Sequence, residues 1–175
     1  MEKNMNYKSE ITFRCGEFNI TRKMILSFSE SLLNIASILY SSLVEGDLDT
    51  FYFRFRFDED YYITRRDEQD TLFGYSHSKY YILDDECFQN AIIRGGNTAV
   101  FELGTPRRQA EIVFDMEIGG ISGNDQKEKS SLLGGEGILL ADTLTAREAS
   151  FDEIKELGDR QYPTVMKFHR YQRPR

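Results

Sequence analysis

Apolar and polar residues alternate most sharply between Thr50 and Thr64, which read TFYFRFRFDEDYYIT. Phe51, Phe53, Phe55 and Phe57 hold the odd positions, and Tyr52, Arg54 and Arg56 the even ones. A strand sends successive side chains to opposite faces, so this spacing predicts a strand with an aromatic core face and an Arg-bearing outer face. Asp58-Glu59-Asp60 interrupts the alternation and Tyr61-Tyr62-Ile63 resumes it. The expected unit is a hairpin with a three-residue acidic loop. Ala110, Ile112, Phe114, Met116 and Ile118 alternate with Glu111, Val113, Asp115 and Glu117. That pattern predicts a second half-buried strand with an acidic outer face. Shorter strand signals lie at Ile11–Ile20 (with Gly16 as a turn or bulge), Tyr75–Leu83, Thr98–Leu103 and Ile138–Leu140. Thr164–Tyr171, opened by Pro163, reads as a last strand, since proline is tolerated at a strand start.

Elsewhere the period is helical. Phe28, Leu32, Ile35, Leu39 and Leu43 recur at intervals of three and four, which makes one apolar stripe. Ser27 and Glu30 have capping-box spacing ahead of it, and Gly46 follows as a stop. A short helix is expected over Glu86–Arg94, capped by Asp84 or Asp85 and closed by Gly95-Gly96. Thr145–Glu148 and Ser150–Glu153 also fit capping boxes, and Phe151, Ile154 and Leu157 suggest a short helix ending at Gly158. Residues 119–137 carry six of the thirteen glycines and read as one long mobile loop. Consecutive strands with short connections favour antiparallel pairing. The expectation is a single α+β domain over residues 1–175, with a sheet of roughly seven strands, one long amphipathic helix and one or two short helices packed on it.

Charge changes the picture of the surface. The net charge is −7, but residues 160–175 contain Arg160, Lys167, Arg170, Arg173 and Arg175 and no acid. The rest therefore stands at −12, with 17 basic against 29 acidic residues. An acidic body with a basic tail argues against a surface built for phosphate backbones, so no nucleic-acid partner is expected. Cys15 and Cys87 lie far apart with no CxxC, and are read as free thiols of a reducing compartment. The polar N-terminus is unlike a signal peptide, and serines break up the apolar stretch from Met24 to Val44. A cytoplasmic protein without a membrane segment is expected.

Candidate chemistry is thin. His77 and His169 are the two histidines, and neither sits near ligand-spaced cysteines or carboxylates, so no metal is expected. Gly134-Gly135-Glu136-Gly137 lacks the Lys-Ser/Thr of a P-loop and runs into a strand rather than a helix.

Three short segments resemble those of mono-ADP-ribosyltransferases. Phe13-Arg14-Cys15-Gly16-Glu17 resembles the strand-borne arginine motif. Ser76-His77-Ser78 is similar to the Ser-Thr-Ser motif, with His77 in place of the central Thr. Gly135-Glu136-Gly137-Ile138-Leu139-Leu140 resembles the glutamate-bearing loop and following strand, with Gly134 where a second Glu or Gln would serve transfer to protein side chains. The resemblance implies that Arg14 would hold an NAD pyrophosphate, Ser76 would order the site and Glu136 would bind the ribose.

The leading expectation is instead a non-catalytic domain, needing no cofactor, that binds another, basic protein. An immunity or inhibitor protein that neutralises a cationic toxin or nuclease is the concrete version, by analogy of class. The contact residues expected are exposed and charged or aromatic: Asp58, Glu59, Asp60, Tyr62, Asp67, Glu68, Asp70, Asp84 and Asp85, anchored by Arg54 and Arg56. A third expectation is a subunit of a larger assembly, joined through the edge strand after Pro163.

Overall fold

The computed structural model describes residues 6–46, 48, 51–64, 79–95, 99–104, 112–124, 129–140 and 146–171. In chain order the strands are β1 (Asn6–Cys15), β2 (Ile20–Ser27), β3 (Tyr52–Phe57), β4 (Asp60–Ile63), β5 (Lys79–Ile82), β6 (Ala99–Gly104), β7 (Ile112–Asn124), β8 (Ser131–Glu136), β9 (Ile138–Leu140) and β10 (Ala146–Glu148). The helices are α1 (Leu32–Ser41), α2 (Phe88–Gly95) and α3 (Phe151–Tyr171). Eight strands form one sheet in the order β5-β4-β3-β6-β7-β1-β2-β8, and β9 and β10 form a separate ribbon. Every neighbouring pair is antiparallel except β4 with β5. This is the expected α+β architecture.

One face of the sheet carries the core. Phe53, Phe55 and Phe57 of β3 pair with Leu103, Phe101 and Ala99 of β6, and all six are buried. Phe114 of β7 and Phe13 of β1 continue this layer. Phe55 and Phe101 stand 5.0 Å apart between ring centroids, and Phe13 meets Phe101 edge-on at 6.3 Å. Tilted and edge contacts of this kind suit the ring quadrupole. All three helices add buried residues to the same cluster: Leu32, Ile35 and Leu39 from α1, Phe88 and Ala91 from α2, and Val165 from α3. The stripe read in the sequence is thus the buried face of α1. Its cap is Ser31 rather than Ser27, with the Ser31 hydroxyl accepting from Asn34 N at 3.1 Å. Ser27 N donates to Ser130 Oγ instead.

The β3–β4 hairpin is one residue tighter than expected. Phe57 pairs with Asp60, so Asp58-Glu59 alone form the turn, with Asp58 at φ 55°. Aspartate tolerates that left-handed region better than most residues. A three-residue loop would have set Tyr62 opposite Arg56 on the outer face. With two, Tyr62 pairs with Phe55 and is fully buried, while Tyr61 takes the place beside Arg56. A one-residue register shift exchanges every side chain between faces.

The expected loop over 119–137 is largely strand. β7 runs on to Asn124 and β8 begins at Ser131. Three of its glycines, Gly119, Gly135 and Gly137, mark close approaches. A Cβ on Gly119 would lie 2.9 Å from the Glu10 carbonyl, where a bulge interrupts the β1–β7 register. One on Gly135 would lie 2.9 Å from Arg22 Cδ. Gly137 (φ 106°) turns the chain into β9 at a point where a Cβ would collide with the Asn19 carbonyl.

The expected terminal strand Thr164–Tyr171 is helix. α3 runs through Gly158 and Pro163 as one helix. Pro163 lacks the N–H that would bond the Asp159 carbonyl, yet the inward face carries on. Ile154, Leu157, Gln161 and Val165 recur at three and four, and Gln161 Nε2 donates to the carbonyls of Ser41 and Val44 at 2.8 and 2.7 Å. The Ser150–Glu153 capping box forms as read, with Glu153 N donating to Ser150 Oγ at 3.2 Å. The Thr145–Glu148 box does not, since Ala146–Glu148 is β10. The sheet edges are β5 and β8, so the segment after Pro163 is no edge strand.

Candidate functional site

Among the described residues no helix crosses the second face of the sheet, and its side chains follow from strand parity. Even positions of β3 put Arg54 and Arg56 there. Arg54 pairs with Glu102 of β6, whose carboxylate is nearly buried. Arg54 Nη2 lies 3.3 Å from Glu102 Oε2, and Arg56 Nε lies 3.0 Å from Oε1. Arg54 also stacks over the Tyr61 ring, 4.8 Å from its centroid. Glu102 is a residue the sequence reading missed. Its signal was present, because Thr98–Leu103 alternates and Glu102 falls on the even, outward side.

The rows running across the sheet extend this surface. Arg56 pairs with Val100, Val100 with Asp115, and Asp115 with Arg14. Thr12 lies between Glu117 and Lys23. Arg14 Nε and Glu117 Oε2 are 3.5 Å apart, and both side chains are well exposed. The outer face therefore alternates cations and anions around half-buried aliphatic and aromatic groups.

The expected contact residues separate into groups. Asp58 and Glu59 are exposed at the β3–β4 turn and Asp60, half-buried, opens β4. Asp84, also half-buried, and the backbone of Asp85 lie in the 3₁₀ turn Leu83–Asp85. β4 and β5 run parallel, with Asp60 beside Lys79 and Ile63 beside Ile82. The turn carboxylates and Asp84 therefore sit at opposite ends of this strand pair, about 10 Å apart along it at the usual rise per residue. Asp67, Glu68 and Asp70 lie outside the described residues.

Tyr62, expected to be exposed, is fully buried. It stacks on Tyr81 at 5.0 Å between centroids, and its hydroxyl accepts from Arg94 Nη1 at 3.1 Å. Burial pushes the Tyr62 phenol up, against the pull of the Arg94 guanidinium.

The residues of the transferase-like segments are placed in part. Arg14 pairs with Thr21 and Thr21 with Glu136, so Arg14 and Glu136 share one row, two strand spacings or about 10 Å apart. Arg14 is exposed on the outer face, where it is engaged by Glu117. Ser76 lies outside the described residues, as does the side chain of Glu136.

The opposite side of the sheet holds a buried cation. Arg22 pairs with Phe13 on the core face and is fully buried. Nε and Nη2 donate to the Ser42 carbonyl at 3.2 and 3.0 Å, and Nη1 to the Thr21 carbonyl at 3.0 Å. Burial lowers its pKa to about 10, so it remains a cation at neutral pH. It sits at the C-terminal end of α1, where the helix dipole favours positive charge.

Cys15 is buried, Cys87 is half-buried, and both are free. Among the described residues, no three His, Cys, Asp or Glu side chains gather as metal ligands would, and no helix is long and apolar enough to cross a membrane.

Among solved structures the chain is similar to the crystal structure of protein of unknown function MM3350 from Methanosarcina mazei Go1. The identity is 8%, the TM-score 0.55, and the match covers 95% of this chain and 91% of that one. At that identity the likeness shows a shared fold alone. No protein-family model and no curated protein matches the sequence.

Proposed function

We propose that this chain is a non-catalytic protein-binding domain that engages a partner through the outer face of its sheet and the Asp58-Glu59 turn. The observation that carries the reading is the open face itself. It presents arginines fixed on Glu102, the carboxylates of Asp115 and Glu117, Tyr61 and the exposed Val113 on a rigid β scaffold. Arginine and tyrosine on rigid elements are the side chains that protein interfaces favour. The net charge of −7 favours a basic partner, since complementary charge speeds encounter. An inhibitor of a cationic toxin or nuclease is the concrete form of this proposal.

The test is affinity capture from a lysate of the native cell, at low and then high salt, with wild type and with Asp58→Lys/Glu59→Lys. A stoichiometric basic partner, held by wild type, released by salt and lost by the variant, supports the reading. A partner held equally by both proteins refutes the assigned surface. Absence of any partner refutes the binding role. NAD titration then examines the row that Arg14 and Glu136 share.

A further inference from the structure

A cleft opens on the helical side of the sheet, away from the proposed partner face. It lies between α1, α3 and the first half of β8, and has a volume of about 430 Å³. That is in the range of small-ligand sites. Its walls come from three stretches of the chain and are joined by side-chain hydrogen bonds. The Tyr162 hydroxyl of α3 donates to Asn34 Oδ1 of α1, and Asn34 Nδ2 donates to Glu30 Oε2. Glu30 Oε1 accepts from the Ser130 backbone N–H at 2.6 Å, and Ser130 Oγ accepts from Ser27 N at 2.9 Å. The cleft is therefore held open by a fixed framework, which spares a ligand the cost of ordering it.

Its lining has two characters. Ile38 and Leu132 are apolar, and Leu132 also packs against the core. Lys129, just before β8, and Lys155, on α3, line it from different elements. Among the described residues neither ammonium makes an ion pair. Asp159 lies one turn beyond Lys155 on the same wall. Glu30 is engaged within the framework by two donors. Among the lining residues two lysines stand against Asp159, so the exposed rim carries one excess positive charge while the Glu30 carboxylate lies behind it, and the rim suits a negatively charged ligand head.

We propose that this cleft binds a small organic monoanion, with a carboxylate head at Lys129 and Lys155 and a short apolar body over Ile38 and Leu132. The site is separate from the partner face, so its failure and that of the binding role are read independently.

The experiment is a backbone-amide NMR titration of the full chain with three probes. Hexanoate has both head and body, hexan-1-ol has the body without charge, and inorganic phosphate has charge without the body. Hexanoate is expected to give saturable shifts over Ser130–Leu133 and Gly158–Tyr162, with hexan-1-ol and phosphate each at least about tenfold weaker. Lys129→Glu/Lys155→Glu, both at exposed positions, is expected to keep the wild-type spectrum elsewhere and to weaken hexanoate by at least about tenfold. Absence of saturable shifts with hexanoate overturns the proposal. So does equal binding of hexan-1-ol or phosphate, and so does a folded double variant that binds hexanoate like wild type.

Discussion

The aromatic region around β3 and β6 and the polar seam joining α1, α3 and β8 hold the same molecule together by different means. In the first, Phe13, Phe53, Phe55, Phe57, Phe101 and Phe114 are each fully buried and touch one another in a continuous layer. In the second, fewer apolar side chains meet. Contacts run instead from side chains to backbone carbonyls: Gln161 to Ser41 and Val44, and Arg22 to Ser42. Dispersion and burial are non-directional, so the aromatic layer supplies stability. Hydrogen bonds are directional and contribute modestly each, so the seam fixes geometry, including the walls of a cleft.

Breaking the aromatic layer has the largest expected effect. Phe101→Ala removes a ring that contacts Phe13, Phe53, Phe55 and Phe114, and is expected to cost about 3–5 kcal/mol in urea unfolding. A cost below about 1 kcal/mol contradicts the account of that layer. Breaking the seam costs less. Gln161→Ala leaves two carbonyls at the end of α1 without their donor, and about 1–2 kcal/mol is expected. Its sharper readout is local, as amide exchange should quicken in α3 while β3 and β6 stay protected.

The smallest effect tests the capping box where the seam begins. Arg147 donates to Glu153 at 3.2 Å and to Glu45 at 2.6 Å, and its guanidinium, with the Ser150 cap, holds the Glu153 carboxyl below its ordinary value. A carboxyl depressed in the folded state stabilises fully above its unfolded pKa and loses that contribution as pH falls through the folded one. Thermal stability should therefore decline below about pH 4.5 more in wild type than in Glu153→Gln. Parallel declines in the two proteins contradict this.

The same contrast explains what the sequence revealed. Burial of one strand face imposes a period of two, so Phe51–Phe57 and Ile112–Ile118 were legible, as was the stripe of α1. Of the proposed partner surface, Arg54, Arg56, Asp58 and Glu59 could be placed from parity and turn position. Tyr62 could not, because its face depends on whether the turn holds two residues or three. The seam left no local pattern, since Glu30 meets Ser130 and Gln161 meets Ser41 across at least 100 positions of chain. Gly135 and Gly137 read as loop because the residues they admit, Asn19 to Arg22, lie far away in sequence. Pro163 looked like a strand start because the inward face that continues α3 past it includes Gln161, a polar residue.

The measurement that bears most directly on the proposed function is the association rate of the captured partner with wild type and with Asp58→Lys/Glu59→Lys, followed against ionic strength. The account predicts a rate that falls steeply with salt for wild type. It also predicts a rate on the order of tenfold lower, and nearly independent of salt, for the variant. Equal rates with equal salt dependence would contradict it.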